Sequence, residues 1–111
     1  MNKQYITIKI GRTRLRRIPI NDIIYCKADG SYTNIKTIDC DHLISKLLKD
    51  IEQDLVNDIL VRVNRSYIVN INNCLELKVG KKPELILCNN DKIIPSTQYV
   101  DNLAKLFCMQ N

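Results

Sequence analysis

The sequence predicts a mainly β domain with two helices. Three observations carry this. Apolar residues alternate with polar ones at a period of two in short runs along most of the chain, as at Ile6, Ile8 and Ile10. Turn signals separate the runs: Gly11-Arg12-Thr13, Asp29-Gly30, Gly80-Lys81-Lys82-Pro83 and Asn89-Asn90-Asp91. Only two stretches change to helical spacing, one near the middle and one at the end.

Each element follows in order. Tyr5 to Ile10 reads as an amphipathic strand, and Arg14-Leu15-Arg16-Arg17-Ile18 as its return, ended or edged by Pro19. The arginines of that return either meet phosphate or blunt a sheet edge against aggregation. Ile23-Ile24-Tyr25-Cys26-Lys27-Ala28 is apolar on both faces, as a central strand must be. After the Asp29-Gly30 turn, Ser31 to Ile38 forms the next strand, with Thr33, Ile35 and Thr37 on one side. Asp39-Cys40-Asp41 turns the chain into a short strand through Leu43-Ile44. Ser45 reads as an N-cap, and Leu47, Leu48, Ile51 and Leu55 give a helix from Lys46 to about Val56, ended by Asn57-Asp58. Its outer face (Lys49, Asp50, Glu52, Gln53, Asp54) is acidic, so it is expected to cover the sheet rather than enter a DNA groove.

In the second half, Leu75, Leu77 and Val79 alternate with Glu76 and Lys78, and Leu85 and Leu87 form the return strand. Lys92-Ile93-Ile94-Pro95 leads to Ser96 as the N-cap of a closing helix marked by Tyr99 or Val100, Leu103, Leu106 and Phe107. Thr97 and Gln98 fall in its first turn, where phosphate oxygens are attracted.

Composition bounds the function. A chain of 111 residues supports one domain with a core, and 45% hydrophobic with 26% charged residues excludes disorder. The net charge of +5 favours a polyanionic partner. The charge comes in blocks: residues 1–36 and 62–82 are basic, and residues 37–61 are acidic, so one basic and one acidic face are expected. No apolar run reaches the roughly 20 residues that span a bilayer, and the start lacks a secretory signal. The five cysteines are odd in number and without CxxC spacing, which reads as reduced thiols and a cytoplasmic location. With His42 as the one histidine, neither a metal nor another cofactor is expected.

The stretch most suited to recognition is Leu60 to Asn70. Val61 and Val63 alternate with Arg62 and Asn64, the period breaks at Arg65-Ser66, and Tyr67-Ile68-Val69 anchors the chain again. Arg and Asn are the side chains best matched to guanine and adenine edges. The same pattern also fits a strand end carrying solvated polar residues.

The order of these pieces resembles the LytTR DNA-binding domain of bacterial transcriptional regulators. The resemblance runs from Arg14 to Phe107. It rests on Asp22-Ile23-Ile24-Tyr25, Ala28-Asp29-Gly30-Ser31-Tyr32, Ser45-Lys46-Leu47-Leu48, Arg62 to Asn70, and Ile94-Pro95-Ser96 before Tyr99. It implies an elongated β fold of small antiparallel sheets, one covering helix and one C-terminal helix. It implies sequence-specific binding of duplex DNA through loops in the major groove, typically at direct repeats and with a second copy on DNA. Carried over, the contacting residues are Ser31, Tyr32, Thr33, Arg62, Asn64, Arg65, Ser66, Ser96, Thr97 and Gln98. Arg62 either meets phosphate or braces its strand; Asn70 is expected to organise the turn through backbone hydrogen bonds.

Two departures bear on base choice. Asn64 stands where the family often has histidine, and Thr97 and Gln98 where it often has arginine. Both amides favour adenine, so the preferred site is expected to be richer in A·T. The chain has no room for a receiver domain of the kind such regulators often carry, which leaves a stand-alone regulator or a trimmed one. Two other readings stay open: a single-strand binder, for which the scattered tyrosines make a poor stacking platform, and a protein-interaction or dimerisation module. An enzyme is not expected, since nucleophile elbow, phosphate-cradling glycine loop and metal cluster are all missing from the sequence.

Overall fold

The computed structural model describes residues 5–55 and 59–109. Among the described residues, ten strands, β1 to β10, form three antiparallel sheets, with two α-helices between and after them. The predicted mainly β class with two helices is what forms.

The first sheet is the hairpin of β1 (Tyr5–Ile10) and β2 (Arg14–Pro19), turned at Gly11, whose φ of 62° suits glycine. The second has five strands: β3 (Ile23–Asp29), β4 (Tyr32–Thr37), β5 (Asp41–Ile44), β6 (Leu60–Arg62) and β7 (Tyr67–Asn70). Their spatial order is β5-β4-β3-β7-β6, which puts the doubly apolar β3 at the centre, as its sequence requires. The third sheet, in the order β10-β9-β8, contains β8 (Cys74–Lys78), β9 (Glu84–Leu87) and β10 (Lys92–Ile93). Helix α1 covers Leu48–Leu55 and helix α2 Thr97–Met109.

The five-stranded sheet has a core on each face. On one side Cys26, Ile35, Ile44, Leu60 and Ile68 pack with Ile6, Ile8 and Ile18 of the hairpin and with Leu48 and Ile51 of α1. On the other side Ile24, Val61 and Val69 pack with Leu85 and Leu87 of β9 and Leu103 of α2. Full burial of each such side chain contributes about 1.5–3 kcal/mol. A bulge in β3 between Ile23 and Tyr25 interrupts the alternation, so that Ile24 and Tyr25 both serve the second core while Ile23 and Cys26 serve the first.

Asn70 organises the turn after β7, as expected. Its side chain is fully buried, donates from Nδ2 to the Ile20 carbonyl at 2.9 Å, and accepts the Asn72 amide at 2.9 Å. Asn73, which the sequence reading passed over, donates to the carbonyls of Asn21 and Ile23. Together they stitch the 71–73 turn to the 20–22 turn.

The period break at Arg65-Ser66 is a reversal of the chain, and β6 pairs antiparallel with β7. Three expectations need correction. Leu75 and Val79 do not join the core and stay 63% and 60% exposed, because β8 is an edge strand with a bulge between Cys74 and Glu76. Ser45 does not begin α1: the first turn closes on Leu47, whose carbonyl accepts the amides of Asp50 and Ile51. The Thr33 hydroxyl bonds to the Lys46 carbonyl at 2.7 Å and ties the chain to β4 just before the helix. Glu52 is not merely a solvated acid, since it pairs with Arg62. The expected helix end at Val56 and Asn57-Asp58 lies outside the described residues.

Candidate nucleic-acid interface

One end of the five-stranded sheet gathers the polar loops. Because every neighbour in this sheet is antiparallel, the C-terminal ends of β3, β5 and β6 and the N-terminal ends of β4 and β7 share that end. The Asp29–Ser31 turn, the Val63–Ser66 loop and the Ser45–Leu47 segment therefore all emerge there. Two strand spacings, about 10 Å, separate the first two loops.

Backbone hydrogen bonds tie three loops into one surface. The Ala28 amide donates to the Ser66 carbonyl at 2.8 Å, which links the β3–β4 turn to the β6–β7 loop. The Ser96 amide donates to the Val63 carbonyl at 2.9 Å, which links the same loop to the segment before α2. Asn64 adds a third tie, with Nδ2 donating to the Ile94 carbonyl at 2.9 Å while Oδ1 accepts the Ser66 amide at 2.8 Å. The Val63–Ser66 loop is thus the middle of the three.

Arg62 holds this loop from below. Its side chain is only 16% exposed. Nε donates to the Asn64 carbonyl, Nη2 to the Arg65 carbonyl and Nη1 to Glu52 Oε1, each at 2.7 Å. A planar guanidinium suits this three-way fork. Of the two roles open for Arg62, the geometry gives the brace. Glu52 of α1 fixes the guanidinium, and no sequence signal beyond its charge pointed to that role.

The ten residues expected to contact DNA divide accordingly. Ser31, Tyr32, Arg65, Ser66, Thr97 and Gln98 are exposed at this end, and Asn64 and Ser96 are partly so. Thr33 is fully buried with its hydroxyl committed to the Lys46 carbonyl, so its side chain has no path to a ligand. It fails as a contact residue because Thr33 faces the core of its strand alongside Ile35 and Thr37. Asn64 spends one donor on the Ile94 carbonyl and one acceptor on the Ser66 amide, leaving one of each. Ser96 stands at the N-cap position, with its carbonyl accepting the Tyr99 amide at 2.9 Å.

The supports beneath are aromatic. Tyr25 and Tyr67 meet edge to face with ring centroids 5.4 Å apart, and Lys27 Nζ lies 5.8 Å from the centre of the Tyr67 ring. Burial, followed by the charge of Asp91, pushes the Tyr25 hydroxyl up to about 12, so it stays protonated. Burial likewise pushes the Cys26 and Cys74 thiols up to about 12, which makes them inert packing groups. Among the described residues, no three His, Cys, Asp or Glu side chains come together as a metal site, and no helix is long and apolar enough to cross a membrane.

Comparison with known proteins bears on this surface. Residues 13–107 match the family model of the LytTr DNA-binding domain. The chain is similar to the sensory transduction protein LytT of Bacillus subtilis (strain 168), with 32% identity over 91 residues, 80% of this chain and 38% of that protein. It is similar to the heme-containing CO-sensing transcriptional regulator RcoM 1 of Paraburkholderia xenovorans (strain LB400), with 34% identity over 77 residues, 68% of this chain and 29% of that protein. The chain therefore spans well under half the length of these relatives. Its fold matches that of a LytTr DNA-binding domain from Bacillus cereus with a TM-score of 0.76, at 22% identity, over 96% of this chain and 98% of that one.

Proposed function

Because this chain belongs to the LytTR DNA-binding domain family, we propose that it binds duplex DNA sequence-specifically, with its loop-bearing sheet end in the major groove. In this reading it serves a cytoplasmic transcriptional regulator. The observation that carries it is the hydrogen-bonded union of three loops around an exposed Arg65. Two loops about 10 Å apart fit together into a groove about 12 Å wide. Arg65 reads a base edge. Ser31, Tyr32, Ser66, Thr97 and Gln98 add polar contacts to bases or phosphates, while Arg62, Asn64 and the buried Thr33 hold the loops in place.

This division shifts the basis of the A·T preference. Asn64 is half committed to the loop, so adenine selection falls chiefly to Gln98, which is exposed in the first turn of α2. Binding to direct repeats by two copies is part of the same proposal. The test is a salt titration with random-sequence, selected and single-stranded probes. The account expects a selected duplex to bind best, with log affinity falling steeply and linearly in log salt. A flat salt response, or equal binding to the single strand, overturns it.

A further inference from the structure

The β1–β2 hairpin carries five cations, Lys9, Arg12, Arg14, Arg16 and Arg17, and all are exposed. None of them has an ion-pair partner among the described residues; Arg17 alone has a ring contact, lying 5.8 Å from the centre of the Tyr5 ring. The family match begins at residue 13, so β1 and most of the hairpin's turn precede it. The hairpin's two ends sit in different places. The turn end faces the loop-bearing end of the large sheet across a cleft of about 470 Å³, lined by Lys9, Gly11 and Leu15 on one side and by Leu43, Ile44, Ser45 and Lys46 on the other. Ile44 pairs with Thr33 at the very start of β4, next to Tyr32. The opposite end, with Arg16 and Arg17, borders a second groove lined by Asp22, Asp39, Cys40 and His42 at the far end of β4 and β5. Arg16 and Arg17 therefore share a groove with Asp22 and Asp39, whereas Lys9, Arg12 and Arg14 cluster near the turn that adjoins the polar loops.

The geometry points to the turn end of this hairpin as a phosphate-binding arm: Lys9, Arg12 and Arg14 extend the DNA contact beyond the three loops, onto the backbone flanking the groove. The inference rests on the reading that the loop end docks on duplex DNA. With that docking, the loops already span most of the roughly 12 Å width of the major groove. The hairpin packs on the sheet face opposite α2, and its turn lies across the cleft from the end of β5, so the turn falls beside the groove, over the sugar-phosphate ridge and not over base edges. Guanidinium and ammonium groups held there neutralise phosphates and release counterions, without reading sequence. Leu15, paired with Lys9 at the cleft and 76% exposed, leaves the arm's apolar stem open to the sugars.

The test compares R12A/R14A with R16A/R17A, which remove the same charge from the two ends of one hairpin. Thermal melts first establish that both variants fold. Binding is then followed against salt on a selected duplex in two lengths: the minimal site, and the site extended by about one helical turn (~10 base pairs) on each side. For R12A/R14A on the extended duplex, the slope of log affinity against log salt is expected to fall by about 2. Its affinity at low salt should drop about ten- to a hundredfold, with sequence preference unchanged. R16A/R17A should stay near the wild type on both lengths, and all three proteins should converge on the minimal site. Equal loss in both variants assigns the effect to net charge and overturns the inference, as does no loss in either. A wild-type protein that selects no duplex at all overturns the docking reading, and the arm with it.

Discussion

Replacing Arg62 with alanine separates a brace from a phosphate contact. Its guanidinium makes three hydrogen bonds of 2.7 Å, two to loop carbonyls and one to Glu52. A hydrogen bond from a charged donor contributes about 1.5–3 kcal/mol when sheltered, but Glu52 is 37% exposed and its ion pair adds at most about 1 kcal/mol. The freed carbonyls regain water in part, so the three terms do not add in full. A loss of about 2–3 kcal/mol follows, near 10 °C in melting temperature for a chain of this size. Arg62→Lys should fall between, since an ammonium cannot span the fork. Urea melts give the stability, and duplex binding across a salt series gives the rest. The brace predicts weaker binding with an unchanged salt slope, because the loop is loosened while no phosphate contact is removed. A stability change under about 0.5 kcal/mol together with a slope reduced by about 0.9 would refute it and make Arg62 a phosphate ligand.

Other predictions follow from the same geometry. Asn70→Ala strands the buried Ile20 carbonyl and leaves the Asn72 amide to solvent, and should cost about 2–3 kcal/mol in urea melts; a change under about 1 kcal/mol contradicts the stitching role. Thr33→Val removes the bond to the Lys46 carbonyl and should cost about 1 kcal/mol while leaving base preference intact, as read by selection from random duplexes. Stability should decline in alkaline solution. Cys26, Cys74 and Tyr25 are held near 12 when folded, against 9.0 and 10.0 for free Cys and Tyr, so the native state binds more protons between about pH 9 and 12. The contribution is complete below pH 9 and is lost upward through 12, at up to about 1.4 kcal/mol per pH unit for each of the two thiols and by less for the more exposed Tyr25, whose interactions solvent screens; melts that stay flat from pH 8 to 11 oppose this. A thiol reagent at neutral pH should label Cys40, Cys88 and Cys108 first, with Cys26 reacting only on unfolding.

Much of the fold was legible because its signals are local. Period-two isoleucines made β1, doubly apolar residues made the central β3, and the Asp29-Gly30 turn joined β3 to β4 with Gly30 at φ 60°. What stayed hidden depends on partners distant in sequence. The reversal at Val63–Ser66 needed β7 to pair with both β3 and β6. Thr33 looked like an available hydroxyl at a hairpin mouth because nothing nearby announced the Lys46 carbonyl thirteen residues on. Glu52 looked solvated because its partner lies on another element ten residues away. The candidate residues Arg65, Tyr32 and Gln98 were readable as polar breaks in an apolar rhythm. Their convergence on one edge was implied by the family resemblance and not by any local signal, since backbone bonds between remote loops create it.

The central claim, that Arg65 leads a three-loop surface into the major groove, meets its most direct test in a position-resolved selection from random duplexes with wild type and Arg65→Ala. The account predicts a defined wild-type site in which one base position loses about 1–3 kcal/mol of discrimination in the variant while the remaining positions keep theirs. Identical preferences at every position in the two proteins would contradict it.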